Sequence, residues 1–73
     1  MTEEIYSTEQ KRIVKKLRNA RLKKGLGQED VAKTLRRSQS FVSKIESGQK
    51  KIDVILLKKL AKIYGLKINT LLD

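Results

Sequence analysis

Between Gln28 and Gly48 the chain reads QEDVAKTLRRSQSFVSKIESG, and its polar groups there are amides, hydroxyls, carboxylates, guanidinium and ammonium groups. Wound as a helix from Ser38 to Ser47, this stretch puts Gln39, Ser40, Ser43, Lys44 and Ser47 on one side and Phe41, Val42 and Ile45 on the other. The first side has no carboxylate. An acid there would be repelled by phosphate, whereas Gln can pair with adenine and Lys with guanine in the major groove of duplex DNA. The same residues would also make an ordinary solvated helix face.

Two charged residues fall where charge is costly. Arg21 lies on the apolar side of the preceding helical stretch, and Glu46 lies at the border of the apolar face of the Ser38–Ser47 helix. A buried charge without a partner is strongly unfavourable, so an Arg21–Glu46 ion pair is expected to join the two helices. The alternative is that both side chains reach water separately. Phe41 also has two readings: a core residue at the seam between helices, or a contact for a thymine methyl. Its spacing favours the core.

The elements that would position these groups are all helical. Ser7 to Lys24 reads as a first helix, with capping-box spacing between Ser7 and Gln10 and a stop at Gly25. Gln28 to Leu35 reads as a short second helix with Val31, Ala32 and Leu35 inward, and small Ala32 allows a close crossing. Ser38 caps the third, and Gly48 closes it. Asp53 caps a fourth helix to Tyr64 with Val54, Leu57, Leu60, Ala61 and Tyr64 inward; Ile68 to Leu72 allows one further short turn or helix. No segment alternates with a period of two, so the expected fold is all-α, a compact bundle of four to five short helices. Residues 1–7 are assigned to an N-terminal extension and 8–73 to the domain.

Composition narrows the chemistry. The 73 residues include 18 Lys and Arg, 8 Asp and Glu, and no His, Cys, Pro or Trp. Without His or Cys the common zinc and transition-metal sites cannot form, nor can a Ser-His-Asp or Cys-His nucleophile. No cofactor is expected. The longest apolar run, Val54 to Leu57, is far too short to span a membrane, and the acidic opening does not read as a signal peptide. A chain of the reducing cytoplasm is expected. All the cations lie at or beyond Lys11; from Gln10 onward 18 basic residues face five acids, a net +13, which attracts polyanions.

The segments LRNARLKKGLGQEDVAKTL, SQSFVSKIESGQKK and LLKKLAKIYGL, within Leu17 to Leu72, resemble the phage repressor and Cro-type helix-turn-helix proteins of the XRE family. The resemblance implies a lambda repressor-like, five-helix DNA-binding domain. It implies base reading by Gln39, Ser40, Ser43 and Lys44. It implies phosphate contacts from Gln28 and, after the third helix, from Ser47, Gln49, Lys50 and Lys51; Arg36 and Arg37 in the turn are further candidates for phosphate on their charge. It also maps the family's Arg–Glu pair onto Arg21 and Glu46. Departures are Arg36, where a residue tolerant of positive φ is usual and a left-handed conformation would cost about 1 kcal/mol, Ile52 in place of a frequent Pro, and Gly27 in place of a Ser or Thr cap.

Ile55, Leu56 and Ile63 have no evident core duty, and Ile68, Leu71 and Leu72 add to the surplus. They are the expected interface of a homodimer reading two half-sites about 34 Å apart. The competing arrangement is a wider core that also packs Ile5 and Tyr6. The expected function is transcriptional regulation on a palindromic or pseudopalindromic operator, as repressor or activator. The alternative is an interaction module of the same fold, an antitoxin or polymerase-contacting factor with weak non-specific DNA binding. A membrane-surface peptide is disfavoured by the lack of Trp and Phe on the first helix's apolar side, and catalysis by the lack of paired carboxylates.

Overall fold

The computed structural model describes the backbone of residues 2–72 and the side chains of residues 8–72. Five helices follow one another: α1 Thr2–Lys23, α2 Gln28–Leu35, α3 Gln39–Glu46, α4 Val54–Tyr64 and α5 Ile68–Leu72. The described residues contain no strand.

Helix α1 runs through Ser7, so the expected start of the first helix at Ser7 lies inside it. The residues upstream contain neither Gly nor Pro, and nothing local stops the helix there. The boundary drawn after residue 7 therefore falls inside α1. Whether Ile5 and Tyr6 touch the domain lies outside the described side chains.

The helix ends are fixed by local hydrogen bonds. Ser38 Oγ accepts from the Phe41 N–H at 3.2 Å, and Asp53 Oδ1 accepts from the Leu56 N–H at 2.7 Å. Gly27 has no side chain to cap α2, but its own N–H donates to Asp30 Oδ2 at 2.8 Å, half of a capping box. The ends of α1, α2, α3 and α4 share one closure, in which a left-handed residue and its successor both donate back into the last turn. Gly25, Gly48 and Gly65 supply three of the left-handed residues, and Arg36 supplies the fourth.

The core gathers one stripe from each helix: Leu17, Val31, Ala32, Val42, Leu57, Leu60, Ala61, Tyr64 and Leu71. Val14 and Ile45 are buried beside it. Val54, expected inside, is 64% exposed, because the inner stripe of α4 begins at Leu57. Leu71, expected at a dimer surface, is 1% exposed: α5 folds back and spends it on the chain's own core. The Lys16 ammonium donates to the Thr70 carbonyl at 2.9 Å and ties α5 to α1.

Candidate nucleic-acid interface

Helices α2 and α3 meet through the turn Arg36–Arg37–Ser38. Arg36 takes φ 57° and ψ 44°, the left-handed region that favours glycine. Its N–H donates to the Lys33 carbonyl at 3.1 Å, and the Arg37 N–H donates to the Ala32 carbonyl at 2.9 Å. Buried Ala32 lets the two helices approach closely. The turn thereby fixes the direction in which α3 leaves the domain.

Helix α3 is held from beneath by Val42 and Ile45 and by an ion pair. Arg21 Nε donates to Glu46 Oε2 at 2.7 Å, and Nη2 donates to Oε1 at 3.0 Å. Arg21 Nη1 donates to the Leu26 carbonyl at 2.7 Å. The two side chains are each 8% exposed. The Glu46 hydrogen bond, opposed by desolvation, holds the guanidinium above its ordinary pKa, so Arg21 is cationic at every ordinary pH. The network then continues outward. Gln28 Nε2 donates to Glu46 Oε1 at 3.1 Å, and Gln39 Nε2 approaches Gln28 Oε1 at 3.4 Å. A line of polar contacts thus runs from a buried charge on α1 to the first residue of α3.

Gln39, Ser40, Ser43 and Lys44 are all exposed on the outer face of α3, with no acid in its first turn. Arg36, Arg37, Ser47, Gln49, Lys50 and Lys51 are exposed around it. Gln28 is half-buried because Glu46 and Gln39 engage its amide. The Ser47 hydroxyl donates to the Lys44 carbonyl at 3.2 Å, closing the end of α3.

Phe41 is half-buried at the margin and is not one of the core residues. The Arg37 guanidinium lies 4.8 Å from its ring centroid and the Lys50 ammonium 5.1 Å from it. The ring's negative face attracts both cations, so Phe41 acts as a platform that holds two positive charges beside α3. The Arg37–Phe41 spacing of four residues was visible in the sequence; Lys50 comes from beyond the Gly48 turn and was not. Sequence reasoning also missed Gln10, whose Nε2 donates to the Lys50 carbonyl at 3.1 Å and braces the following loop against α1.

The apolar residues nominated for a dimer separate into groups. Ile55 is 68% exposed and Leu72 59% exposed. Leu56, Ile63 and Ile68 are half-buried against the core. A shallow groove of about 250 Å³ among Ile13, Ile52, Leu57 and Leu72 adjoins the exposed end of α5. Among the described residues no group of acids could hold a metal ion, and no helix is long and apolar enough to cross a membrane.

A family model described as helix-turn-helix matches residues 17–71. No curated protein and no solved structure matches the chain significantly.

Proposed function

The chain belongs to the XRE-type helix-turn-helix family and is a DNA-binding regulator, and from that premise we propose that it recognises one duplex sequence as a homodimer, with α3 in the major groove. The observation that carries this reading is the acid-free outer face of α3, held at a fixed angle by the Arg21–Glu46 pair. Gln39 has the donor and acceptor that adenine requires, and Lys44 the donor that guanine accepts. Ser40 and Ser43 can pair with either. Around them Gln28, Arg36, Arg37, Ser47, Gln49, Lys50 and Lys51 offer donors to phosphates, which fix register without reading sequence. The Gln28–Gln39 contact gives the phosphate donor and the first reading residue a common orientation before DNA arrives. That lowers the ordering cost on binding.

An interface built on Val54, Ile55 and Leu72, with Leu56, Ile63 and Ile68 behind it, supports pairing of two copies on half-sites about 34 Å apart. Binding to a palindromic operator would act by blocking or recruiting polymerase, in the cytoplasm. The test is selection from a random duplex library at about 150 mM salt, where non-specific binding is suppressed. Enrichment of an inverted repeat is the expected result. A single short site would remove the dimer, and no enrichment would remove sequence reading and favour an interaction module of this fold.

A further inference from the structure

Helix α1 extends well upstream of the family match, which begins at residue 17. This added stretch carries Lys11 and Lys15, and the next residue at helical spacing is Arg18. All three are exposed, and they line one side of a groove of about 590 Å³ between α1 and the loop after α3. Gln49 and Lys51 line the other side. The walls are tied together by the Gln10 bond to the Lys50 carbonyl, so the groove is present before any ligand binds.

The charge in this groove is one-sided. Lys11, Lys15, Arg18 and Lys51 contribute four cations, and the lone acid, Glu46, is already engaged by Arg21 and Gln28. Among the described residues no carboxylate pairs with Lys11, Lys15 or Arg18. Like charges gathered in a concave site focus a positive potential and favour an anion. From Lys11 to Arg18 the helix rises about 10 Å, the axial rise of about three nucleotides on one DNA strand. Gln49 and Lys51 also belong to the loop expected to grip the backbone beside α3. A strand leaving that loop would run directly into the groove.

We infer that the groove between α1 and the α3–α4 loop is a second backbone site, in which Lys11, Lys15 and Arg18 hold phosphates flanking the bases that α3 reads. This rests on the reading of the chain as a duplex-DNA binder. It adds length to the footprint and contributes affinity without sequence information.

The experiment compares the salt dependence of binding for the full chain and for the triple variant Lys11→Gln, Lys15→Gln, Arg18→Gln. Two duplexes are used, one ending at the read bases and one longer by about half a helical turn on each side. On the longer duplex the triple variant should lower the log–log salt slope by about 2.7 per bound copy of the chain, at about 0.9 per phosphate lost. On the shorter duplex the two proteins should match, and base preference should not change. The triple variant Lys58→Gln, Lys62→Gln, Lys67→Gln removes equal charge outside the groove and should leave the slope near that of the unsubstituted chain. Equal loss in both triples would overturn the site in favour of net charge alone, as would a slope that does not rise with flank length. Should circular dichroism show the groove triple unfolded, Lys15→Gln alone should lower the slope by about 0.9, and no change would overturn the inference. The two triple variants can be compared on a long duplex of any sequence, so a chain without sequence preference would refute the proposed specificity while the groove is still tested by that comparison.

Discussion

On its inner side α3 presents Val42, Ile45 and Glu46 to the domain; on its outer side it presents Gln39, Ser40, Ser43 and Lys44 to solvent. The inner groups are apolar or fully partnered, and they fix where the helix stands. The outer groups are polar, and only Gln39 among them is engaged by another side chain. Such a division makes the two faces separately breakable. Inner substitutions should cost folding, and outer ones should cost DNA recognition at constant stability.

Glu46→Ala is the largest expected effect. It would strand a buried guanidinium, and loss of one partner of a buried pair costs about 3–5 kcal/mol. Because Glu46 also accepts from Gln28, the variant should bind DNA poorly even where it folds. Urea unfolding checks this, and a loss under about 0.5 kcal/mol would mean that the pair behaves as an exposed one.

Next in size is a pH effect on the same inner side. Tyr64 is 4% exposed, and burial first, then the nearby Glu46 charge, push its phenol up to about 12, with Arg21 opposing. The fold therefore prefers the neutral phenol. Its contribution is complete below the ordinary tyrosine pKa near 10 and is lost as pH rises toward 12, a fall of about 2 kcal/mol. Tyr64→Phe should lose less stability than the unsubstituted chain between pH 10 and pH 12. Parallel stability curves for the two proteins would show that Tyr64 titrates alike folded and unfolded.

On the outer face, Gln39→Ala or Lys44→Ala should each cost about 1–3 kcal/mol at the cognate base and relax preference there. Thermal unfolding should change by less than about 0.5 kcal/mol, as for any exposed residue without a special role. Variants that keep full sequence preference would place the reading residues elsewhere.

The two faces were unequally legible in the sequence. The inner face follows from spacing, because within their helices Val14 and Leu17, Val31 and Leu35, and Val42 and Ile45 stand three or four residues apart, and lone charges at Arg21 and Glu46 stand out against them. Periodicity gives direction on a helix but not where the core ends. For that reason Val54 looks like an inner residue and is exposed, while Leu71 looks surplus and is buried by the return of α5. Phe41 shows a similar limit. Its apolar character suggests core, but its place is set by Arg37 and Lys50, and the latter arrives through a turn that sequence spacing does not locate. Capping signals hold at Ser38 and Asp53, whose side chains accept at the starts of α3 and α4, but the Ser7–Gln10 spacing is equally correct and the helix passes through it.

Arg36 belongs to neither face and tests whether they are truly separate. Three of the four helix closures use glycine at the left-handed position, and this one uses arginine with the same hydrogen-bond pattern. Relieving that conformation by Arg36→Gly should stabilise the fold by about 1 kcal/mol, less the small cost of a more flexible unfolded chain. In a domain of this size that is a rise of about 4 °C in Tm. The arginine is exposed beside α3, so its removal should also lower the log–log salt slope for DNA by about 0.9 if it holds one phosphate. A tighter fold with weaker binding would mean that the turn gives up stability for a DNA contact. A tighter fold with an unchanged slope would leave the strain at Arg36 without a role in binding and would return the turn wholly to the structural side of α3.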